Sequence, residues 1–231
     1  MEPNVNSQKV SGEKPSLLGM ITSPGLQFER MKATDKVWGM FFLVALLQAL
    51  VNGLSTYVAQ SSPEMMEIQK KFGTGQEESI GYLVGKSIGS GFIGIIIGTL
   101  IVAAVYKVFM MFFGNDTPYK KLLAIIVYPS IVVVIGGLIN SLLGLIFGSG
   151  VTGYTSLAPL FDQGTIGYAI GSVVEIFYLW NIVLIWIGLQ ITAGLGKVKA
   201  AVPIVVLFII KAAFLSLIVI VLVKFMQSFN G

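Results

Sequence analysis

The stretch GYLVGKSIGSG, Gly81 to Gly91, carries two patterns that do chemistry in other chains: a GKS triplet, and GxSxG across Gly85, Ser87 and Gly89. A phosphate-binding loop needs GxxxxGK[ST] between a strand and a helix, so that successive backbone amides wrap the phosphates. With GKS ending at Ser87, the first glycine belongs at position 80, which is Ile80. The serine pattern needs a sharp strand-to-helix turn and a base within hydrogen-bond reach. The chain has no histidine, and neighbouring side chains such as Lys86 and Ser87 point about 100° apart on a helix. Cysteine is also absent, which removes thiolate chemistry, disulfides and, together with histidine, the usual zinc ligands. No cofactor-binding pattern is present, and the residues predict a protein that is not an enzyme.

Spacing of four accounts for the glycines better. Gly81, Gly85 and Gly89 form one small-residue row, and Ser90, Gly94 and Gly98 form another. A later segment repeats the device with Gly136, Asn140, Gly144 and Gly148. Such rows let helix backbones approach closely in lipid, where packing rather than hydrophobic exclusion drives association. The rows predict that the second and third spans pack together.

Those helices belong to a membrane protein. Of 231 residues 55% are hydrophobic and 11% charged, against roughly 25% charged in a soluble domain, and mean hydropathy is +0.86. A bilayer is crossed by about 20 apolar residues, and five segments qualify: Val37–Ala59, Ser87–Met111, Leu122–Phe147, Ala169–Gly194 and Ala201–Lys224. The expected fold is an all-α five-helix transmembrane bundle over residues 37–224, with a disordered tail over 1–14, a cytoplasmic amphipathic segment over 15–36 and a short outer tail over 225–231. A cleaved signal peptide is not expected, because no basic start leads into a short apolar run with a cleavage site.

The net charge of +4 is scattered rather than clustered, which argues against nucleic acid and for topology. With the N-terminus inside, Arg30, Lys32, Lys36, Lys107, Lys120, Lys121, Lys197 and Lys199 flank the cytoplasmic ends, against Lys70, Lys71, Lys86 and Lys224 outside. The excess predicts N-terminus in and C-terminus out. Within PSLLGMITSPGLQFERMK the apolar residues recur at helical intervals around Pro24, as in a broken helix lying along the membrane face. Ser62, Pro63 and Gly73 bound a short outer helix.

Ionisable groups inside spans are functional candidates by default. Lys211 sits ten residues into the last span, roughly 15 Å deep at ~1.5 Å per residue, and Gln48 and Asn181, at similar depth, are its expected partners. Glu175 lies nearer the outer end of its span, where Lys86 is the better match. Either charge could serve a proton or ion path, while a structural ion pair or a lysine reaching toward water is the plainer account. An acid pair is unavailable, because Asp116 and Asp162 fall in loops on opposite sides. Pro129 predicts a kink in the third span, while Pro203 is tolerable near the start of the last.

Three blocks resemble the Yip domain family of small polytopic membrane proteins: LLGMITSPGLQFERM, GNDTPYKKLLAIIVYPS and EIFYLWNIVLIWIGLQITAGLGKVKA. Their order agrees with the five spans counted independently. The resemblance implies a non-enzymatic membrane partner in the bacterial cell membrane, of the type that accompanies an ABC exporter made of permease, ATPase and membrane-fusion subunits. It carries over no catalytic residue, so Tyr119, Trp180, Gly188 and Lys197 stand as fold or interface positions. The lipid bilayer is the other expected partner, and a homo-oligomer is compatible with the glycine rows. A small permease using Lys211 and Glu175 is the alternative function.

Overall fold

The computed structural model describes residues 13–63, 65–66, 78–150, 153–162 and 165–229. Among them the elements are helical: α1 (Leu17–Thr22), α2 (Pro24–Lys32), α3 (Trp38–Gln60), α4 (Ile80–Phe112), α5 (Tyr119–Val127), α6 (Ile131–Phe147), a 3₁₀ turn (Ala158–Leu160), α7 (Ile166–Val173), α8 (Ile176–Ile191) and α9 (Lys197–Phe229). Four stretches among the described residues are long and apolar enough to cross a membrane: Trp38–Gln60, Ile80–Phe112, Tyr119–Phe147 and Lys197–Ile218. The tail over 1–12 and most of the segment that was expected to form the short outer helix lie outside the described residues. At the start of that segment, Ser62 Oγ does accept from the Met65 amide at 3.3 Å.

Two expected spans are interrupted. Pro129 has no N–H to give the carbonyl four residues back, and α5 ends at Val127 while α6 begins at Ile131, so the predicted kink is a break. Instead of one helix over Ala169–Gly194, the chain forms α7 and α8 with Val174 and Glu175 between them. Alone, α8 has 16 residues, about 24 Å at ~1.5 Å per residue, short of a ~30 Å hydrocarbon core. Pro203 sits inside α9, which continues through it.

The chain divides into two compact units. The first takes Met1–Gln48, Phe92–Val134 and Trp180–Ile204. Here α1 and α2 form a hairpin. Ser16 caps α1 by accepting from the Gly19 amide at 2.9 Å, and its own N–H donates to Gln27 Oε1 at 2.9 Å. One side of the hairpin is buried against protein, with Met20, Phe28 and Met31 inaccessible alongside Leu122, Leu123 and Ile125 of α5, while Leu18 and Leu26 of the hairpin stay exposed. Lys121 locks the far end of α2. Its ammonium donates to the carbonyls of Met31 (2.6 Å), Lys32 (2.8 Å) and Thr34 (2.7 Å), with the Asp35 carboxylate at 3.2 Å. A lysine has three N–H groups, matching the three carbonyls that converge at the end of the helix, of which that of Met31 also accepts from the Thr34 amide at 3.4 Å. Thr192 Oγ1 donates to the Phe28 carbonyl at 2.9 Å, and Asn115 Nδ2 to the Ala193 carbonyl at 2.8 Å, so the loop after α4 is tied to the loop after α8.

The second unit takes Ala49–Gly91, Ile135–Leu179 and Val205–Gly231. Hydroxyl pairs stitch its helices: Ser55 with Ser141 at 2.9 Å, and Thr56 to Ser87 at 2.8 Å. Small residues set the close approaches, with Val51 over Gly137, Val58 over Gly144 and the Ala59 backbone over Gly150.

Glycines that are contacted and glycines that are not give a paired test. A Cβ on Gly188 would lie 2.6 Å from Phe28 Cε1 and 2.9 Å from Ile125 Cγ2, whereas one on Gly98 meets nothing within 4 Å. Gly188→Ala is expected to cost about 1–3 kcal/mol through overpacking. Gly98→Ala should be neutral or stabilise by up to about 1 kcal/mol through helix propensity. Unfolding midpoints in detergent check both, and equal midpoints for the two variants would contradict the packing described.

Candidate functional site

The break between α7 and α8 gathers the polar groups of the second unit. Val174 leaves helical geometry at φ −86°, ψ 73°, which frees the first amides of α8. Glu175 takes them: Oε1 accepts from the Phe177 amide at 3.1 Å and Oε2 from the Tyr178 amide at 2.6 Å. Thr155 adds its hydroxyl to Oε1 at 2.7 Å, while its backbone carbonyl accepts from the Ile176 amide at 3.1 Å. Behind Thr155, Asn140 accepts from the Thr155 amide at 3.1 Å and donates to its Oγ1 at 2.5 Å. Ser156 and Glu175 form a single antiparallel bridge. An anionic side chain at a helix N-terminus is favoured by the free amides and by the helix dipole. Glu175 is therefore a capping group with three donors on it.

Lys211 lies one turn further on. Its Nζ sits 3.5 Å from the centroid of the Tyr178 ring, which stacks on Phe208 at 6.4 Å and 19°. A cation over an aromatic face is attracted by the ring quadrupole. Ion pairs among the described residues are Arg30 with Glu13, Lys32 with Glu29 and Lys121 with Asp35, so no carboxylate there reaches Lys211 within 4.0 Å.

Several expectations are redistributed. Lys86, expected near Glu175, lies over Tyr82 of its own helix at 5.7 Å. In the first unit, Gln48 lines a notch with Thr99 and Ser130, and Asn181 is buried with no partner for its Nδ2 among the described residues. Ser87 accepts from Thr56 and donates to the Asn52 carbonyl at 3.4 Å, so its hydroxyl is structural. Ser90 donates to the Lys86 carbonyl at 2.7 Å. Gly188 is covered by Phe28, Trp180 is 38% exposed, Tyr119 donates to the Leu100 carbonyl at 2.8 Å, and the Lys197 carbonyl accepts from Trp186 Nε1 at 2.9 Å. Among the described residues no group of three or more acidic side chains comes together as a metal site.

The small-residue rows behave differently from one another. In α6, Gly136 lies under Phe177 and Gly144 under Val58, while Asn140 joins the Thr155 cluster. In α4, Gly81, Gly85, Gly89, Gly94 and Gly98 have nothing within 4 Å of where a Cβ would stand. The expected pairing of the second and third spans through both rows is thus not the packing observed. The α4 row is left open, on a helix whose most apolar window is 6% buried against 61% for Tyr119–Phe147.

Comparison with known proteins identifies the family. The Yip1 domain family matches residues 18–220. The chain belongs to that family. It is also 32% identical over 93% of its length, and 94% of the relative's, to membrane protein YknW of Bacillus subtilis (strain 168). No solved structure matches the chain. The Yip1 match runs from the α1–α2 hairpin into α9, and so takes in both units and the α7–α8 break.

Thr155 and Tyr178, which complete the Glu175 cluster, were not singled out by sequence. Thr155 lies 20 positions from Glu175, and no local pattern marks such a pair. If Glu175 caps α8, Glu175→Ala should lower the unfolding midpoint by an amount equivalent to about 1–2 kcal/mol. Glu175→Gln, which keeps one acceptor oxygen, should lose less. Indistinguishable midpoints for wild type and the alanine variant would contradict the capping role.

Proposed function

We propose that this Yip1-family membrane protein is a non-enzymatic accessory subunit that docks to, and helps assemble, a multi-subunit ABC-type exporter in the cell membrane. The observation that carries the reading is the open glycine row of α4. Glycine spaced at four along an apolar helix is a device for close helix contact, and among the described residues nothing occupies it. A row turned to lipid gains nothing from lacking side chains, since each glycine costs about 1 kcal/mol of helix propensity relative to alanine. A helix from another protein would use it. That the partner is an exporter of permease, ATPase and membrane-fusion subunits is what the family resemblance implies.

The same reading has the chain cross the membrane five times, N-terminus inside and C-terminus outside. The fifth crossing would be α8 continued by α7 across the Glu175 cap, because irregular backbone at membrane depth is tolerated where protein satisfies it. The excess of Lys and Arg near the proposed inner ends supports the orientation.

One observation favours a second reading, a small permease: a helix interrupted beside a carboxylate is a frequent substrate-site device in transporters. It predicts that Lys211→Met abolishes a flux measured in liposomes. Against it, Glu175 is already engaged by three donors.

Replacing Gly94 and Gly98 together with leucine tests the accessory reading. Open space at both positions means the fold should be kept, with the unfolding midpoint shifted by only a few degrees. Recovery of the exporter subunits with the tagged protein should fall about tenfold or more, since a lost contact worth ~1.4 kcal/mol already gives that factor. Full recovery with the double variant would contradict the proposal.

A further inference from the structure

We infer that Lys211, with the apolar face of α9 around it, is the docking point for a transmembrane helix of another protein that carries an Asp or Glu at mid-span. This rests on the reading above that the chain has a membrane partner, and it names the chemistry of one contact.

Lys211 is the fifteenth residue of α9, about 21 Å from its start at ~1.5 Å per residue, in a helix of 33 residues. It therefore lies near the helix middle. Spacings of three and four place Lys211, Phe214 and Ile218 on one stripe, and Ile210, Leu217 and Val221 on the ridge beside it. Among the described residues all six count as exposed; Phe214, for example, is 62% exposed. Within the second unit the ammonium has the Tyr178 ring at 3.5 Å and feels the charge of Glu175, whose oxygens are held by three other donors, but among the described residues no carboxylate comes within 4.0 Å to pair with it directly. A ring face supplies attraction but no hydrogen-bond acceptor oxygen, and a lysine brings three donors.

Three anions are available in principle, and two fit poorly. Lipid phosphates lie at the interfaces, about 15 Å from the middle of a ~30 Å hydrocarbon core, which is farther than a lysine side chain reaches. A second copy of this chain would have to offer its own carboxylate. Of the 11 acidic residues Glu175 alone lies in an apolar segment, and its oxygens already hold Phe177, Tyr178 and Thr155. A heterologous helix with one acidic residue satisfies both features: the carboxylate meets the ammonium, and the rest of its apolar face covers the stripe. Ionisable groups within membranes pair with one another or with backbone carbonyls as a rule.

The test places a photo-crosslinking residue at Ile210 or at Phe214 in the full-length protein in its native membranes, with Ile97 beside the open α4 row as a second probe site, and identifies the joined peptides by mass spectrometry. The expected product from positions 210 and 214 is a peptide from a different protein, apolar and containing Asp or Glu near its middle. Its yield should drop about tenfold in Lys211→Met, which corresponds to ~1.4 kcal/mol, and be retained in Lys211→Arg. Lys211→Gln provides a second neutral variant should the methionine protein fail to fold. Crosslinks to phospholipid only, to a second copy, to an acid-free helix, or undiminished in the neutral variants each overturn the inference. Protein crosslinks from Ile97 with none from 210 or 214 overturn it while leaving the accessory role standing; none from any of the three sites removes both.

Discussion

The start of a helix leaves backbone amides without partners, and the carboxylate of Glu175 is the group that takes them at the break before α8. Hydrogen bonds to charged groups contribute about 1.5–3 kcal/mol each, and Glu175 accepts three. Much of the second unit follows from this one cap. It fixes where α8 starts, draws Thr155 and with it Asn140 onto the break, and sets Tyr178 one turn on as the platform for Lys211. A charge that looks catalytic or transport-related on paper is consumed by architecture.

The first unit meets the same constraint with a cation. Lys121 donates to three carbonyls around the end of α2, and Met20, Phe28 and Met31 of the hairpin are buried with α5 and α8. Phe28 can sit against α8 only because position 188 is glycine.

Helix existence was legible in the sequence, because hydropathy over about 20 residues reports it directly. The expected Val37–Ala59 corresponds to α3 within a residue at each end. The start of α4 at Ile80 rather than Ser87 was not legible: Gly81, Gly85 and Lys86 depress hydropathy without breaking a helix. Pro129 announced its break, since a missing N–H is written in the residue type. The α7–α8 break was hidden, because Val174 and Glu175 carry no turn signature and a window average passes over them. The glycine rows were visible as rows, but which of them the chain itself would fill was not. Spacing shows that a helix can be approached closely and says nothing of what approaches it. Likewise the place of Lys211 within an apolar helix was readable, while its seat on Tyr178 depended on a helix start that sequence did not reveal.

The Glu175 carboxylate is committed to a helix cap and the serine of the GKS stretch is bonded to its neighbours. Among the described residues two open features remain, the glycine row of α4 and the exposed apolar face around Lys211. Under the proposed function both are surfaces for fitting against another protein. The direct measurement is affinity purification of the tagged protein from native membranes in mild detergent, with the stoichiometry of everything that accompanies it determined. Permease, ATPase and membrane-fusion subunits of an ABC exporter recovered in fixed ratio to the protein are the expected result. The protein recovered alone, as a stable folded species, would contradict the accessory role.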